Sequence, residues 1–241
     1  MGKLLESVHL ADGEELACVM VEPDDPIRPE HVVIMHGAGS GSKTRTLPLA
    51  ETFAAAGHRA IAFDFSGHGA STGMLSELSL RRRFEQARSV IDHHTGDAPL
   101  ILVGFSMSGQ TVADLTDHYR DRVGTICLCA PAAYAPDAWD VRFGDGFTDL
   151  IRQPRSWTAS RTFATFRAFA GRAVLALPEH DAVIPPGVTL RIEAALRTQA
   201  RFQKFVFTEA DHRLGLWLAE HPEDRRRLVD LCTSAEGTAV Q

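Results

Sequence analysis

The chain has 241 residues, 44% hydrophobic and 23% charged, which is enough apolar side chain for one sizeable core. A formal net charge of −6, with no block of five like charges, excludes a polybasic nucleic-acid surface, and the triplets Arg81-Arg82-Arg83 and Arg225-Arg226-Arg227 read as solvated helix faces. With no apolar signal core, no stretch of membrane-spanning length and no C-x-x-C pair among four cysteines, the expectation is a reduced, soluble, cytoplasmic protein without a zinc or redox site.

Residues 4–10 and 15–22 are strand-like runs around Ala11-Asp12-Gly13-Glu14 and read as an antiparallel hairpin. Residues 23–30 carry three prolines and three acids, the composition of a surface connection. From His31 the rhythm changes. Strands are expected at His31–Met35, Arg59–Phe63, Leu100–Phe105 and Val123–Cys129, with helices running to Ala56, over Leu78–Asp92 and over Gln110–Arg120. Strands alternating with helices imply a parallel sheet with helices on both faces.

The alternation breaks between Ala133 and Ala170, which hold 8 of the 18 aromatic residues. Phe163, Phe166 and Phe169 share one helical face. Two readings stand: ordinary core helices, or a cap that lays an apolar wall over a pocket. The cap is the reading adopted, spanning about residues 133–170 of a single domain over 1–241. Alternation then resumes with a strand at Ala173–Leu177, a helix at Val188–Thr198, a strand at Phe202–Phe207 and a final helix at Leu214–Leu231. The small polar tail, 234–241, is expected to fray.

Chemistry concentrates at the ends of three strands. Val103-Gly104-Phe105-Ser106-Met107-Ser108-Gly109 places a serine between small residues at a strand-to-helix turn, the pattern of a nucleophile elbow, with Ser108 where that motif has glycine. A serine hydroxyl needs a base, and the base an orienting acid. Asp181 follows a later strand and His212 the last, and reactive groups gather beyond the carboxyl ends of parallel strands. Glu179, Asp137 and Asp140 are weaker candidates for the acid, and His180 and His221, the latter inside the last helix, for the base. His36 and His68 read as loop histidines bonded to backbone, and Cys127 and Cys129 as buried packing. Gly37 to Thr44 reads G-A-G-S-G-S-K-T, a phosphate-binding loop with Ser42 in place of the glycine before Lys43. A nucleotide binder would leave the three strand-end residues without a purpose.

Taken together, these stretches resemble an α/β-hydrolase of the monoglyceride-lipase and serine-aminopeptidase type. His36-Gly37-Ala38-Gly39 resembles its oxyanion loop, Asp64 to Ser71 its D-x-x-G-H-G-x-S loop, and the elbow and the Asp181/His212 pair complete four separated motifs. The resemblance implies a mostly parallel eight-stranded sheet with an N-terminal antiparallel hairpin, helices on both faces and a small helical cap. It makes Ser106 the nucleophile, His212 the base and Asp181 the orienting acid, with the backbone N–H groups of Ala38 and Met107 as the oxyanion hole. The expected reaction is cleavage of a carboxylic ester or thioester through an acyl-serine. Amide cleavage, acyl transfer and a non-catalytic binding role on the same scaffold stay open. No cofactor and no metal are implied, and the expected partner is a small-molecule acyl substrate rather than nucleic acid or a membrane. A histidine base predicts activity falling below roughly pH 6–7. Arg142, Arg152, Arg155, Arg161 and Arg167 lie in the cap segment and read first as solvation of its outer face.

Overall fold

The computed structural model describes residues 2–24 and 28–234. Of the tail expected to fray, 234–241, residues 235–241 lie outside the described residues, as do 25–27 in the middle of the 23–30 connection, while Ser234 N–H donates to Asp230 O at 2.9 Å.

Strands β1 (Lys3–Ala11) and β2 (Glu14–Glu22) form the hairpin. Asp12 (φ 54°) and Gly13 (φ 76°) take the left-handed conformations that a two-residue turn matching the strand twist demands. Then follow β3 (His31–Met35), α1 (Lys43–Ala55), β4 (Ala60–Phe63), α2 (Leu80–Thr95), β5 (Leu100–Phe105), α3 (Ser108–Tyr119) and β6 (Val123–Cys129). After the irregular segment come β7 (Arg172–His180), α6 (Pro186–Leu196), β8 (Arg201–Asp211), α7 (Leu214–Glu220) and α8 (Pro222–Thr233). The eight strands form one sheet in the order β1-β2-β4-β3-β5-β6-β7-β8, with β1–β2 and β2–β4 antiparallel and the rest parallel. The expected fold class is the one observed.

Alternation along the central strands builds two apolar layers. Val33, Met35, Leu100 and Leu102 face one of them, which holds Val90 of α2, Val112 of α3 and Ile192 of α6. Val32, Ile34, Ile101 and Val103 face the other, with Phe53 of α1, Leu214 of α7 and Leu228 of α8. All six residues of β5 are buried. A strand covered on both faces reads as a continuous apolar run, which is why β5 was visible in the sequence.

Three expectations need correction. The final helix is two helices. A residue before proline is pushed out of the helical region, and His221 (φ −116°, ψ 85°) breaks the chain at Pro222. His221 therefore sits in that break rather than inside a helix. The arginine triplets are not uniformly solvated. Arg225 binds Thr52 Oγ1 at 2.9 Å and ties α8 to α1, and Arg83 is fully buried. Leu80, Arg83, Ala87, Val90 and Ile91 are all buried along one stripe of α2, so helical spacing puts Arg83 inside.

Between β6 and β7 the chain forms short helical pieces, including α4 (Thr148–Arg152) and α5 (Thr162–Ala168). The aromatics divide. Phe163, Phe166 and Phe169 join the main core beside α6, whereas Tyr134, Phe143, Phe147 and Trp157 line a cavity above the sheet. No helix among the described residues is long and apolar enough to cross a membrane.

Candidate active site

Ser106 stands between β5 and α3 with φ 49°, a left-handed conformation that costs a non-glycine residue about 1–2 kcal/mol. The surroundings enforce it. The Ser106 N–H donates to Cys129 O at 2.8 Å, and its carbonyl accepts from Gly109 N–H and Ala132 N–H, each at 2.9 Å. Gly104 is required because a Cβ there would lie 2.6 Å from Ser108 O and from Val112 Cγ2.

His212 and Asp181 arrive from the ends of β8 and β7. His212 Nε2 is 2.9 Å from Ser106 Oγ, and His212 Nδ1 is 3.0 Å from Asp181 Oδ2. Asp181 Oδ1 accepts from Val183 N–H at 2.8 Å and Ile184 N–H at 2.9 Å, which orients the carboxylate. Burial pushes this carboxyl up, but the hydrogen bonds from His212, Ile184 and Val183 outweigh it and hold it below its ordinary range. An ionised carboxylate only accepts, so Nδ1 carries the imidazole proton and Nε2 accepts from the serine hydroxyl. The structure thus brings Ser106, His212 and Asp181 into one hydrogen-bonded chain.

Three of the competing residues are engaged elsewhere. Glu179 Oε2 accepts from Glu209 N–H at 2.8 Å, Asp140 pairs with Arg81, and His221 Nδ1 bonds Trp217 O at 2.8 Å. His36 and His68 bond backbone through Gly37 O and Ser66 O, and burial holds both imidazoles below their ordinary range. All four cysteines are buried and unpaired. Lys43 does not project towards a phosphate. Its Nζ and its backbone N–H both bind the buried Asp64 carboxylate, at 3.1 and 2.6 Å.

Ala38 and Met107 flank Ser106 in the wall of the cavity, and among the described residues neither backbone N–H has an acceptor. Met107 also opens α3, whose N-terminal end favours developing negative charge. The loop carrying Ala38 is anchored by a residue the sequence reading missed. His36 O accepts from Ser108 Oγ at 2.6 Å and from Arg83 Nη2 at 2.8 Å, and the same Nη2 reaches Ser108 Oγ at 2.7 Å. Burial pulls the Arg83 guanidinium down to about 9, and its carbon lies 3.7 Å from the centre of the Phe65 ring. Ser108 therefore does something a glycine cannot: through its hydroxyl it binds the elbow to the loop that carries Ala38.

The cavity above Ser106 measures about 1090 Å³ and is walled by Leu75, Tyr134, Phe143, Phe147, Ile151 and Trp157. Arg152 and Arg155 stand at its edge, while Arg142 pairs with Glu77 at 2.8 Å on the outer surface. A second cavity of about 120 Å³ lies on the other side of Ser106, between residues 36–46 and 212–216.

Among proteins of known structure, the chain superposes on a thioesterase domain from the curacin biosynthetic pathway with a TM-score of 0.72 at 15% identity, covering 94% of this chain and 99% of that one. It superposes on Est1E of Butyrivibrio proteoclasticus, solved with ferulic acid, with a TM-score of 0.71 at 16% identity, covering 92% and 96%. At such identities the likeness is one of fold. By sequence it is 33% identical over 110 residues to probable esterase PIR7A of Oryza sativa subsp. indica, covering 43% of this chain and 41% of that protein. It is 39% identical over 90 residues to the mitochondrial palmitoyl-protein thioesterase ABHD10 of Homo sapiens, covering 37% and 29%. The chain thus spans well under half the length of these relatives. The profile of one family, described as serine aminopeptidase S33 (Hydrolase_4), matches residues 28–206, from the surface connection into β8. With that match over most of its length and this sheet order, the chain belongs to the serine aminopeptidase S33 family of α/β-hydrolases.

Proposed function

We propose that the protein hydrolyses a carboxylic ester or thioester through an acyl-Ser106 intermediate. The observation that carries this is the hydrogen-bonded chain Ser106–His212–Asp181 opening on an apolar cavity, with the Ala38 and Met107 N–H groups beside it. His212 Nε2 takes the Ser106 proton as Oγ attacks the acyl carbon, and the imidazolium that forms is stabilised by Asp181. The oxyanion is held by Ala38 N–H and Met107 N–H, and His212 returns the proton to the leaving alcohol or thiol. Water, activated by the same imidazole, then releases the acid and regenerates Ser106. Arg83 and Ser108 keep the oxyanion loop in register with the elbow.

The apolar walls fit an aliphatic or aromatic acyl group, in keeping with the esterase and thioesterase names of the sequence relatives. Four buried unpaired cysteines suit a reducing compartment, the cytoplasm included. The test is turnover of a series of p-nitrophenyl esters, acyl thioesters and aminoacyl anilides of increasing length. Ester or thioester turnover that rises with apolar acyl length and vanishes in Ser106→Ala is expected. Turnover confined to the anilides overturns the ester reading.

A further inference from the structure

A second cluster of chemically capable side chains lies away from Ser106. His9 on β1 meets His93 and His94 in the last turn of α2, with ring centroids 5.0 Å (His9–His93), 5.6 Å (His9–His94) and 4.7 Å (His93–His94) apart. The three offer one ring nitrogen each, all within 4.8 Å of one another. His94 Nε2 is buried and has no hydrogen-bond partner among the described residues. His9 Nε2 bonds Ser89 Oγ at 2.8 Å, which fixes that ring.

We propose that His9, His93 and His94 form a binding site for a divalent transition-metal ion of the zinc type, with the remaining coordination position left to water. The geometry comes close without the ion. Three atoms no more than 4.8 Å apart share a point at most about 2.8 Å from each of them. An imidazole–zinc bond is about 2.0–2.1 Å, so each ring moves by less than about 1 Å, within reach of side-chain rotation. Imidazole ligands select zinc, nickel and copper over magnesium and calcium. Only uncharged imidazoles bind, and two of the three, His94 and His9, are held towards that form. Burial pulls His94 down to about 4, with His93 and then His9 adding to it, and burial followed by His93 pulls His9 down. The C-terminal end of α2 carries partial negative charge and favours a cation. His93 is exposed and gives the ion a route in.

The ion would clip the edge strand to α2 at the end remote from the elbow. Arg83 touches the elbow loop, and ten residues further along α2 is about 15 Å. The site is therefore independent of the proposed hydrolase reaction. Sequence reading looks for zinc in closely spaced cysteine and histidine pairs, and His9 is separated from the other two by most of the first half of the chain.

The test is titration of the metal-stripped full chain with Zn²⁺ against a chromogenic indicator, with His9→Ala, His94→Ala and His212→Ala alongside. The native chain is expected to bind one equivalent with Kd below about 10 µM and to melt several degrees higher when loaded. His9→Ala and His94→Ala should each weaken binding at least about tenfold, and His212→Ala should leave it unchanged. Because His93 is exposed, His93→Ala folds and serves as the control should a partly buried variant lose its circular dichroism. Binding that does not saturate, that persists in His9→Ala, His93→Ala and His94→Ala, or that disappears in His212→Ala overturns the proposal.

Discussion

Ser108 is the position at which this elbow departs from the usual glycine, and replacing it with glycine should do harm. The hydroxyl donates to His36 O at 2.6 Å and accepts from Arg83 Nη2 at 2.7 Å, with both Ser108 and Arg83 at 0% exposure. A neutral hydrogen bond contributes about 1 kcal/mol, and one to a buried cation about 1.5–3 kcal/mol. Among the described residues Arg83 Nε and Nη1 already lack acceptors, so loss of the hydroxyl leaves that guanidinium His36 O alone. Ser108→Ala, which removes the hydroxyl alone, is expected to cost about 2–4 kcal/mol, a fall in Tm of about 6–12 °C for a chain of this size. Ser108→Gly should cost as much or more, because glycine also loosens the first turn of α3. In a double-mutant cycle with Arg83→Met, the pair should cost less than its singles together, by about 1.5 kcal/mol or more, since the buried charge leaves with its partner. A looser oxyanion loop should lower kcat by about 10-fold with KM little changed. Thermal unfolding followed by circular dichroism, with steady-state kinetics on the same samples, measures all of this. Ser108→Gly within about 0.5 kcal/mol of the native chain would refute the reasoning.

Asp181→Asn should keep the fold and lower kcat by about 10⁴, because the imidazole loses the partner that fixes its tautomer; Glu179→Gln, whose carboxylate binds the Glu209 N–H, should stay within about threefold. Because its hydrogen bonds hold Asp181 below the ordinary carboxylate range, it stays ionised while a histidine base is protonated, so the acid limb of the pH–kcat/KM profile should have unit slope. The sign for stability follows: the lowered carboxyl contributes above its unfolded value, and that contribution goes only as pH drops through the folded value. Asp114 carries the opposite sign. Burial pushes its carboxyl up to about 7, Gln110 opposing and Asp117 adding, so the native state binds the extra proton and stability drops as pH rises towards 7. Asp114→Asn should therefore be more stable than the native chain by an amount that grows from pH 4 to 7 and reaches about 1–3 kcal/mol at pH 8, read as a higher Tm.

What the sequence made legible, and what it hid, follows from how far apart the interacting residues lie. The β5 run, the Asp12-Gly13 turn and the small residues around Ser106 are local signals, each enforced by backbone sterics within a few residues. That Ser106, Asp181 and His212 would come together was legible because the alternation of strands and helices places each at a strand end, which is a topological inference rather than a local one. Arg83 was missed because three consecutive arginines look solvated, although helical spacing from Leu80 and Ala87 already placed the third on the buried stripe. The break at His221 was readable from Pro222 alone. The division of the aromatics between core and cavity was not readable, since Phe147 and Phe166 differ only in which tertiary surface they meet.

The most direct measurement is the intact mass of the protein after treatment with a fluorophosphonate, beside Ser106→Ala and His212→Ala. A serine activated by His212 should yield one stoichiometric adduct on the native chain, none on Ser106→Ala, and labelling slowed by at least about 10³ on His212→Ala. A folded native chain that takes no adduct, or a Ser106→Ala variant that takes the same one, would contradict the assignment of Ser106 as the nucleophile.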